Sequence, residues 1–166
     1  MRIITRPINI STDKNLILDY HCQINYESDS PWARRVAYEQ YRDKWFSTSQ
    51  PNEFFSYFEE TLLDKRTIAE IWLDETNEYL GYFWVVFSDM RDYSLVIAEV
   101  MDVLVNPKFQ KRGIGYEILT YIEKKAIEQG ANLLRSGTGS ENFASQKLHQ
   151  KFGFETYRVE IEKKLK

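Results

Sequence analysis

The segment from Val103 to Gly115 constrains the fold of this 166-residue chain more than any other. An apolar run ends at Pro107, which lacks a backbone donor and holds the preceding Asn106 extended, so a strand stops there. A basic turn containing Gly113 follows, and the apolar residues after Gly115 recur at helical spacing. The segment therefore predicts a strand, a glycine-spaced turn and a helix in direct succession.

Such a turn is suited to binding phosphate. The first N–H groups of a helix have no partner within the helix, and they attract anions. Gly113 and Gly115 leave room for a ligand near the main chain, while Lys111 and Arg112 add mobile positive charge. A Walker A loop is excluded because no Gly-Lys-Ser/Thr sequence is present, and the Rossmann fingerprint is poorly matched because Ile118 stands where its third glycine belongs.

Composition limits the remaining possibilities. With 166 residues, 43% of them hydrophobic, the chain fits a single domain over residues 1–166, and a net charge of −3 argues against general nucleic-acid binding. The single cysteine, Cys22, excludes an internal disulfide and supplies no CxxC metal site. No apolar run is long enough to cross a bilayer, and the first residues lack a signal-peptide core. We therefore expect a cytoplasmic protein with no metal, membrane or nucleic-acid partner.

Hydrophobic periodicity predicts the order strand, helices, three strands, helix, strand, helix, strand, which indicates a mixed α/β domain. The predicted strands cover residues 2–9, 67–73, 79–87, 93–105 and 133–136, with a loop at 88–92 and a last strand through Tyr157, Val159 and Ile161. Five helices are predicted. The first is capped by Ser11-Thr12-Asp13, the second follows Pro31 and contains Trp32, Val36 and Trp45, and the third has Pro51 in its first turn. The fourth begins near Gly113 and the fifth near Asn142. An exposed edge on the last predicted strand could pair with a second subunit, so a homodimer is one of the alternatives.

Two motifs resemble those of the GNAT N-acetyltransferase superfamily. Residues 110–115, Gln-Lys-Arg-Gly-Ile-Gly, are similar to its Q/R-x-x-G-x-G/A signature. A later run is similar to its Asn-x-x-Ala-x-x-Leu-Tyr-x-Lys-x-Gly-Phe motif and consists of Asn142, Ser145, Leu148, His149, Lys151, Gly153 and Phe154. The resemblance implies an α/β fold with a mostly antiparallel central sheet that splays after its fourth strand and carries helices on both faces. It also implies acetyl-coenzyme A as cosubstrate.

Within that family, the central strand pairs with the pantetheine amides of coenzyme A and the turn binds the pyrophosphate. The resemblance therefore implies a set of cofactor-binding residues in the strand, the turn and the second motif: Val103, Leu104, Val105, Gln110, Lys111, Arg112, Gly113, Ile114, Gly115, Asn142 and Ser145. Plainer alternatives exist for each group. In these alternatives the strand side chains form core, the glycines serve a positive-φ turn, the cations are solvated surface charges, and Asn142 caps a helix.

Acetyl transfer to an amine requires two proton movements. A lysine-like amine has a pKa of ~10.4 and must lose a proton before it attacks. By resemblance to histone-acetylating members, Glu99 is the predicted base, in phase with Val103 and Val105; its alternative is a solvent-facing strand residue, and Asp102, expected on the opposite face, is the reserve. His149 stands where many members have a tyrosine that protonates the leaving sulfur, and imidazole can also donate a proton. A helix histidine with local hydrogen bonds is the alternative.

These implications predict an acetyl-coenzyme A-dependent N-acetyltransferase in which an amine attacks the thioester directly. The amine acceptor is expected to be a small molecule in preference to a protein N-terminus or lysine. The aromatic residues between 20 and 58 crowd one wall of the expected acceptor cleft, although most of them at helical spacing form core. A coenzyme A-binding sensor without turnover and an O-acetyltransferase are the alternative functions.

Overall fold

The computed structural model describes residues 2–29 and 31–165 and contains a five-stranded sheet. Its strands are β1 (Ile3–Pro7), β2 (Ile68–Asp74), β3 (Tyr79–Met90), β4 (Leu95–Val105) and β5 (Leu133–Ser136). Its α-helices are α1 (Ile10–Ser28), α2 (Tyr38–Phe46), α3 (Gln50–Thr61), α4 (Ile114–Glu128) and α5 (Phe143–Phe152). The strands lie in sequence order, antiparallel from β1 to β4, whereas β4 and β5 are parallel. The predicted mixed α/β class is confirmed.

Apolar side chains alternate along the strands, so the sheet has a hydrophobic core on each face. On one face, Phe83 and Val85 of β3 pack with Ile118 of α4, and α5 joins this core; we call it the α4 face. On the other, Tyr82 and Trp84 pack with residues of α1, α2 and α3; we call it the α1 face. Helices therefore cover both faces of the sheet, as predicted. No helix within residues 2–29 and 31–165 is long and apolar enough to cross a membrane.

A β-bulge at Met101 interrupts the pairing of β3 with β4. Trp84 pairs with Asp102, but the next residue of β3, Val85, pairs with Val100. β4 therefore contains one extra residue at this point, and side chains on either side of it no longer follow a single alternation.

The bulge decides which face each candidate residue of β4 occupies. Glu99 pairs with Val86, which packs in the α1-face core, and Asp102 lies on this face as well. Val103 and Val105 pack on the α4 face. The prediction that Glu99 is in phase with the two valines and that Asp102 points the other way is therefore wrong, because strict alternation takes no account of an inserted residue.

β4 and β5 separate halfway along β4. Their pairing runs from Ile97 with Leu133 to Val100 with Ser136, where β5 ends, while β4 continues to Val105. In the described ranges, residues 102–105 of β4 pair with β3 on one edge and with no strand on the other, and the bulged Met101 pairs with neither neighbour. The predicted splay after the fourth strand is confirmed, and it leaves main-chain groups of β4 unpaired.

Three local predictions differ from the structure. The helix predicted through Trp32, Val36 and Trp45 is instead a 3₁₀ turn at Ala33–Arg35 followed by α2, because Val36 and the residue after it adopt extended backbone. α1 is capped by Asn9, whose side chain accepts from the Ser11 N–H at 3.0 Å, and not by the Ser11–Asp13 run. β3 continues to Met90, beyond the predicted start of the loop, and a 3₁₀ turn at Arg91–Tyr93 leads into β4.

The last predicted strand is also wrong. Residues 154–165 form neither helix nor strand, and Tyr157, Val159 and Ile161 are 60%, 74% and 92% exposed. Alternation of apolar and charged residues produces a strand only where a sheet edge pairs with it and buries its apolar side, and this segment has no such partner in the described ranges.

Candidate active site

The turn before α4 presents unpaired main-chain donors. Gly113 caps α4 with a φ of 89°, and Lys111 also has a positive φ, of 61°. Within residues 2–29 and 31–165, no main-chain N–H from Lys111 to Gly115 donates a hydrogen bond. A Cβ added at Gly113 would meet nothing within 4 Å, so the space beside these donors is open. The turn has the geometry of an anion site.

Gly115 is required for a different reason. A Cβ at this position would lie 2.9 Å from Cδ2 of Leu148 in α5 and 3.5 Å from Cγ2 of Val105 in β4. The absence of a side chain thus lets α4 approach both α5 and the end of β4. The positive-φ alternative holds for Gly113 but not for Gly115.

The structure brings the predicted residues 103–115 together around the open end of β4. The unpaired edge of β4 offers peptide groups, the free N–H groups offer anion donors, and Lys111 and Arg112 are exposed cations beside them. Gln110 is turned back, since its Nε2 donates to the Val105 carbonyl at 3.2 Å. These groups fit a ligand that carries amides at one end and a diphosphate at the other.

The second motif forms the start of α5. The Asn142 side chain accepts from the Ser145 N–H at 3.2 Å, so its capping alternative is confirmed, and its Nδ2 donates to Ser28 Oγ at 3.4 Å. A Cβ at Gly139 would lie 2.9 Å from Cα of Ser28. The loop between β5 and α5 therefore packs against the end of α1.

His149 lies at the point where β4 and β5 separate. Its Nδ1 donates to the Ser145 carbonyl at 2.8 Å, and its Nε2 lies 2.8 Å from Oγ of Ser136, the last residue of β5. The ring centroid is 5.0 Å from that of Phe154. The side chain is buried, and both ring nitrogens have local partners, which is the arrangement expected from the plainer alternative. The catalytic role of His149 stays a prediction.

Glu99 lies one residue before the pairing of β4 with β5 ends. It pairs in register with Arg135 of β5 and is exposed. In the described part of the chain, its carboxylate forms no hydrogen bond or ion pair, whether with His149 or with any other residue. Its role as a base also stays a prediction.

A buried cluster on the α1 face involves Asp102. This carboxylate accepts from Nδ1 of His21 at 2.9 Å and from the Tyr82 hydroxyl at 3.1 Å. The Asp102 side chain is 1% exposed and that of His21 is 18% exposed. The imidazole stacks on Phe54 with 3.5 Å between ring centroids and 10° between planes. Burial and the neighbouring carboxylate raise the pKa of Tyr82 well above its usual range, so its hydroxyl remains a donor.

The sequence contained a partial signal for this cluster. Asp102 interrupts an apolar strand, and a carboxylate in that position must find donors because burying an unpaired charge is costly. The pattern did not identify the donors, since His21 is 81 residues away in the chain. His21 falls within the aromatic stretch between residues 20 and 58 that is predicted to form one wall of the acceptor cleft.

Comparison with known proteins agrees with this geometry. The Acetyltransferase (GNAT) family matches residues 32–154. Over 58 residues the chain is 36% identical to aminoglycoside N(6')-acetyltransferase type 1 of Salmonella typhimurium, an alignment that spans 34% of this chain and 40% of that protein. A putative acetyl transferase from Pyrococcus furiosus has a TM-score of 0.67 and 24% identity, covering 99% of each chain. AAC(6')-Iy in complex with the bisubstrate analogue CoA-S-monomethyl-acetylneamine has a TM-score of 0.65 and 19% identity, covering 99% of each chain.

The family match covers most of the chain and includes both the turn before α4 and the second motif. The two structural similarities extend over the whole sheet and its helices, and at these identities they show a shared fold. The family predicted from the two motifs is thus confirmed, and the chain belongs to the GNAT acetyltransferase family.

Proposed function

We propose that the protein is an acetyl-coenzyme A-dependent N-acetyltransferase that acts on a primary amine of a small molecule. The observation that carries the proposal is the unpaired edge of β4 next to the free N–H groups from Lys111 to Gly115. Family membership supports acetyl transfer. One similar protein is named aminoglycoside N(6')-acetyltransferase and another is in complex with CoA-S-monomethyl-acetylneamine, and these names support a small-molecule amine as the acceptor.

Coenzyme A would bind along this opening by its main-chain groups. The pantetheine amides would pair with the free edge of β4 near Val103 and Val105, in the manner of an added strand. The pyrophosphate would accept from the N–H groups of the turn at Gly113, and Lys111 and Arg112 would balance its charge. Leu104, Ile114, Asn142 and Ser145 complete the proposed set, mainly through their backbone atoms and through the position of α5.

The reaction needs an amine that has lost its proton and a sulfur that gains one. The amine nitrogen would attack the thioester carbonyl carbon, the carbon–sulfur bond would break, and the sulfur would leave as the thiol. Glu99 and His149 remain the residues predicted from the motifs for these two proton movements. To donate to sulfur, Nε2 of His149 would have to give up its contact with Ser136.

The experiment that tests the proposal is release of thiol from acetyl-coenzyme A with a panel of acceptors. Aminoglycosides, simple diamines, peptides with a free N-terminus or lysine, and hydroxyl compounds form the panel. We expect turnover with small amines, and mass spectrometry of the product should show one added acetyl group on nitrogen.

Other outcomes would identify the alternatives. Coenzyme A binding without turnover on any acceptor would indicate a sensor, and preference for peptides would indicate a protein acetyltransferase. Acetylation of hydroxyl groups alone would indicate an O-acetyltransferase. Absence of coenzyme A binding in calorimetry would refute the proposal altogether.

A further inference from the structure

The buried His21–Asp102 pair has the arrangement of a base held by a positioning residue. We propose that His21, positioned by Asp102, removes the proton from the acceptor amine; this inference rests on the proposed function. Asp102 orients the imidazole and does not contact the acceptor. In this assignment His21 takes the role that the motifs gave to Glu99.

The hydrogen bonds determine which nitrogen of His21 is available. A carboxylate only accepts, so the contact of 2.9 Å requires Nδ1 to carry a proton, and Nε2 of the neutral ring then has a free lone pair. Nε2 has no hydrogen-bond partner in the described ranges, yet it is not among the buried unpartnered polar atoms there, which are Glu70 Oε2, Trp72 Nε1 and Tyr79 Oη. It therefore reaches solvent while the rest of the pair is enclosed.

The position of the pair on the sheet fits this role. Asp102 follows the bulge and lies in the part of β4 whose outer edge is unpaired. α1 carries His21 over this part of the strand and ends at Ser28, against the loop that precedes α5. An acceptor that enters between α1 and the open end of β4 would meet Nε2. Glu99, by contrast, lies where β4 is still paired on both edges.

Every element packed around the imidazole contributes to its orientation. β4 contributes Asp102, and β3 contributes Tyr82, whose hydroxyl also donates to the Asp102 carboxylate. α3 contributes the stacked ring of Phe54, and α2 contributes Trp45, whose ring centroid is 6.1 Å away. Asp102 is the only charged group among these four residues. The ring is thereby held in one plane and one tautomer, which is what a positioned base requires.

The proposed step balances without any further reactant. Nε2 of His21 takes one proton from the acceptor ammonium, and the resulting amine forms the carbon–nitrogen bond as the carbon–sulfur bond breaks. The nitrogen loses its second proton as the amide forms, and the departing sulfur gains one. His21 then releases its proton to solvent, so the net products are the amide, free coenzyme A and one proton.

The decisive variant is His21→Asn, because the amide of asparagine can keep a donor near the Nδ1 position while it removes Nε2. We expect kcat/KM at pH 7 to fall by about 100-fold or more, the range of general base catalysis, with coenzyme A affinity unchanged. The decrease in kcat/KM should be smaller for acceptor amines of low basicity, because part of such an amine is already unprotonated at pH 7. Asp19→Asn on the same helix removes only an exposed pair with Arg42 and serves as the matched control, with wild-type kinetics.

Asp102→Asn tests the positioning role. The neutral amide can donate as well as accept, so it no longer forces the proton of the neutral imidazole onto Nδ1. We expect kcat to fall with an unchanged KM for acetyl-coenzyme A, and the imidazole ¹⁵N signals should show Nε2 protonated in a larger share of the neutral rings. Wild-type turnover by His21→Asn at every pH and with every amine would overturn the inference but leave the proposed function intact, whereas a wild-type protein without turnover would refute the proposed function.

A measurement on the unmodified protein avoids dependence on variants that fold poorly. The chain has two histidines, so its imidazole ¹⁵N spectrum contains two sets of signals, which His149→Gln would assign. In the neutral ring we expect His21 to carry its proton on Nδ1, with Nε2 unprotonated. Protonation of Nε2 in the neutral ring would contradict the proposal.

Discussion

Comparing Gly113→Ala with a control substitution, Gly130→Ala, separates the effect of backbone strain in the turn before α4 from the proposed role of this turn in binding phosphate. Gly113 and Gly130 both have positive φ angles, of 89° and 82°, and a Cβ at either position would meet nothing within 4 Å. Gly113 precedes α4, whereas Gly130 follows it at the far end. The two substitutions therefore impose the same backbone strain at opposite ends of one helix.

The expected magnitudes follow from this geometry. A left-handed conformation costs an L-residue about 1–2 kcal/mol, and open space adds no clash, so each variant should lower the free energy of unfolding by that amount. For a domain of this size, Tm should fall by roughly 2–8 °C in both. Only Gly113→Ala should also disturb the N–H groups of the turn. Loss of one hydrogen bond to a charged phosphate, about 1.5–3 kcal/mol, corresponds to about 10- to 100-fold weaker coenzyme A binding.

Thermal unfolding and calorimetric titration with coenzyme A measure the two effects separately. Gly113→Asn provides a third arm, because asparagine tolerates the left-handed region better than alanine and should restore part of the affinity. Equal coenzyme A affinity in Gly113→Ala and Gly130→Ala would refute the assignment of the turn as the diphosphate site. Unchanged Tm in both would refute the estimate of backbone strain.

Three further predictions concern other parts of the molecule. Hydrogen bonds from Arg6 lower the pKa of Asp13, so this pair stabilises the fold fully at pH values above the unfolded pKa of about 3.9 and progressively less as the pH falls below it. Urea unfolding of Asp13→Asn at pH 7 should show a free energy of unfolding about 1–3 kcal/mol lower than that of the wild type, and this difference should disappear at low pH. A difference that stays constant with pH would contradict the prediction. Burial raises the pKa of the Cys22 thiol to about 11, so a maleimide at pH 7 should label it only after denaturation, and rapid labelling of the native protein would contradict its buried placement. Replacing Lys111 and Arg112 together by glutamine should weaken coenzyme A binding at low salt and reduce its salt dependence, whereas an unchanged salt dependence would exclude them as phosphate partners.

The elements that could be predicted from sequence are those determined by local chemistry. Pro107, Gly113 and the periodic residues after Gly115 act within a few positions of one another, so the strand, the turn and α4 were foreseen. The alternation in β2 and β3 also reflects local preference for a half-buried surface. The motif spacing also predicts that this turn binds phosphate, because such binding depends on neighbouring peptide groups.

The features that escaped prediction depend on distant partners. The bulge at Met101 exists only in relation to β3, so the faces of Glu99 and Asp102 could not be read from β4 alone. His21 meets Asp102 through the packing of α1 on the sheet, which no spacing in the sequence encodes. The segment at Tyr157 has strand-like alternation, but in the described ranges no strand pairs with it. Whether a strand edge is available for such pairing depends on the rest of the sheet.

The parting of β4 from β5 has a consequence for how specificity can change. If peptide groups bind the cosubstrate, its binding depends on the backbone of β4, and most side-chain substitutions along β4 should leave it unchanged. The acceptor would instead be chosen by side chains on α1 and its neighbours, which can vary without disturbing that backbone. A scaffold divided in this way can adopt new amines while it keeps a constant acyl donor.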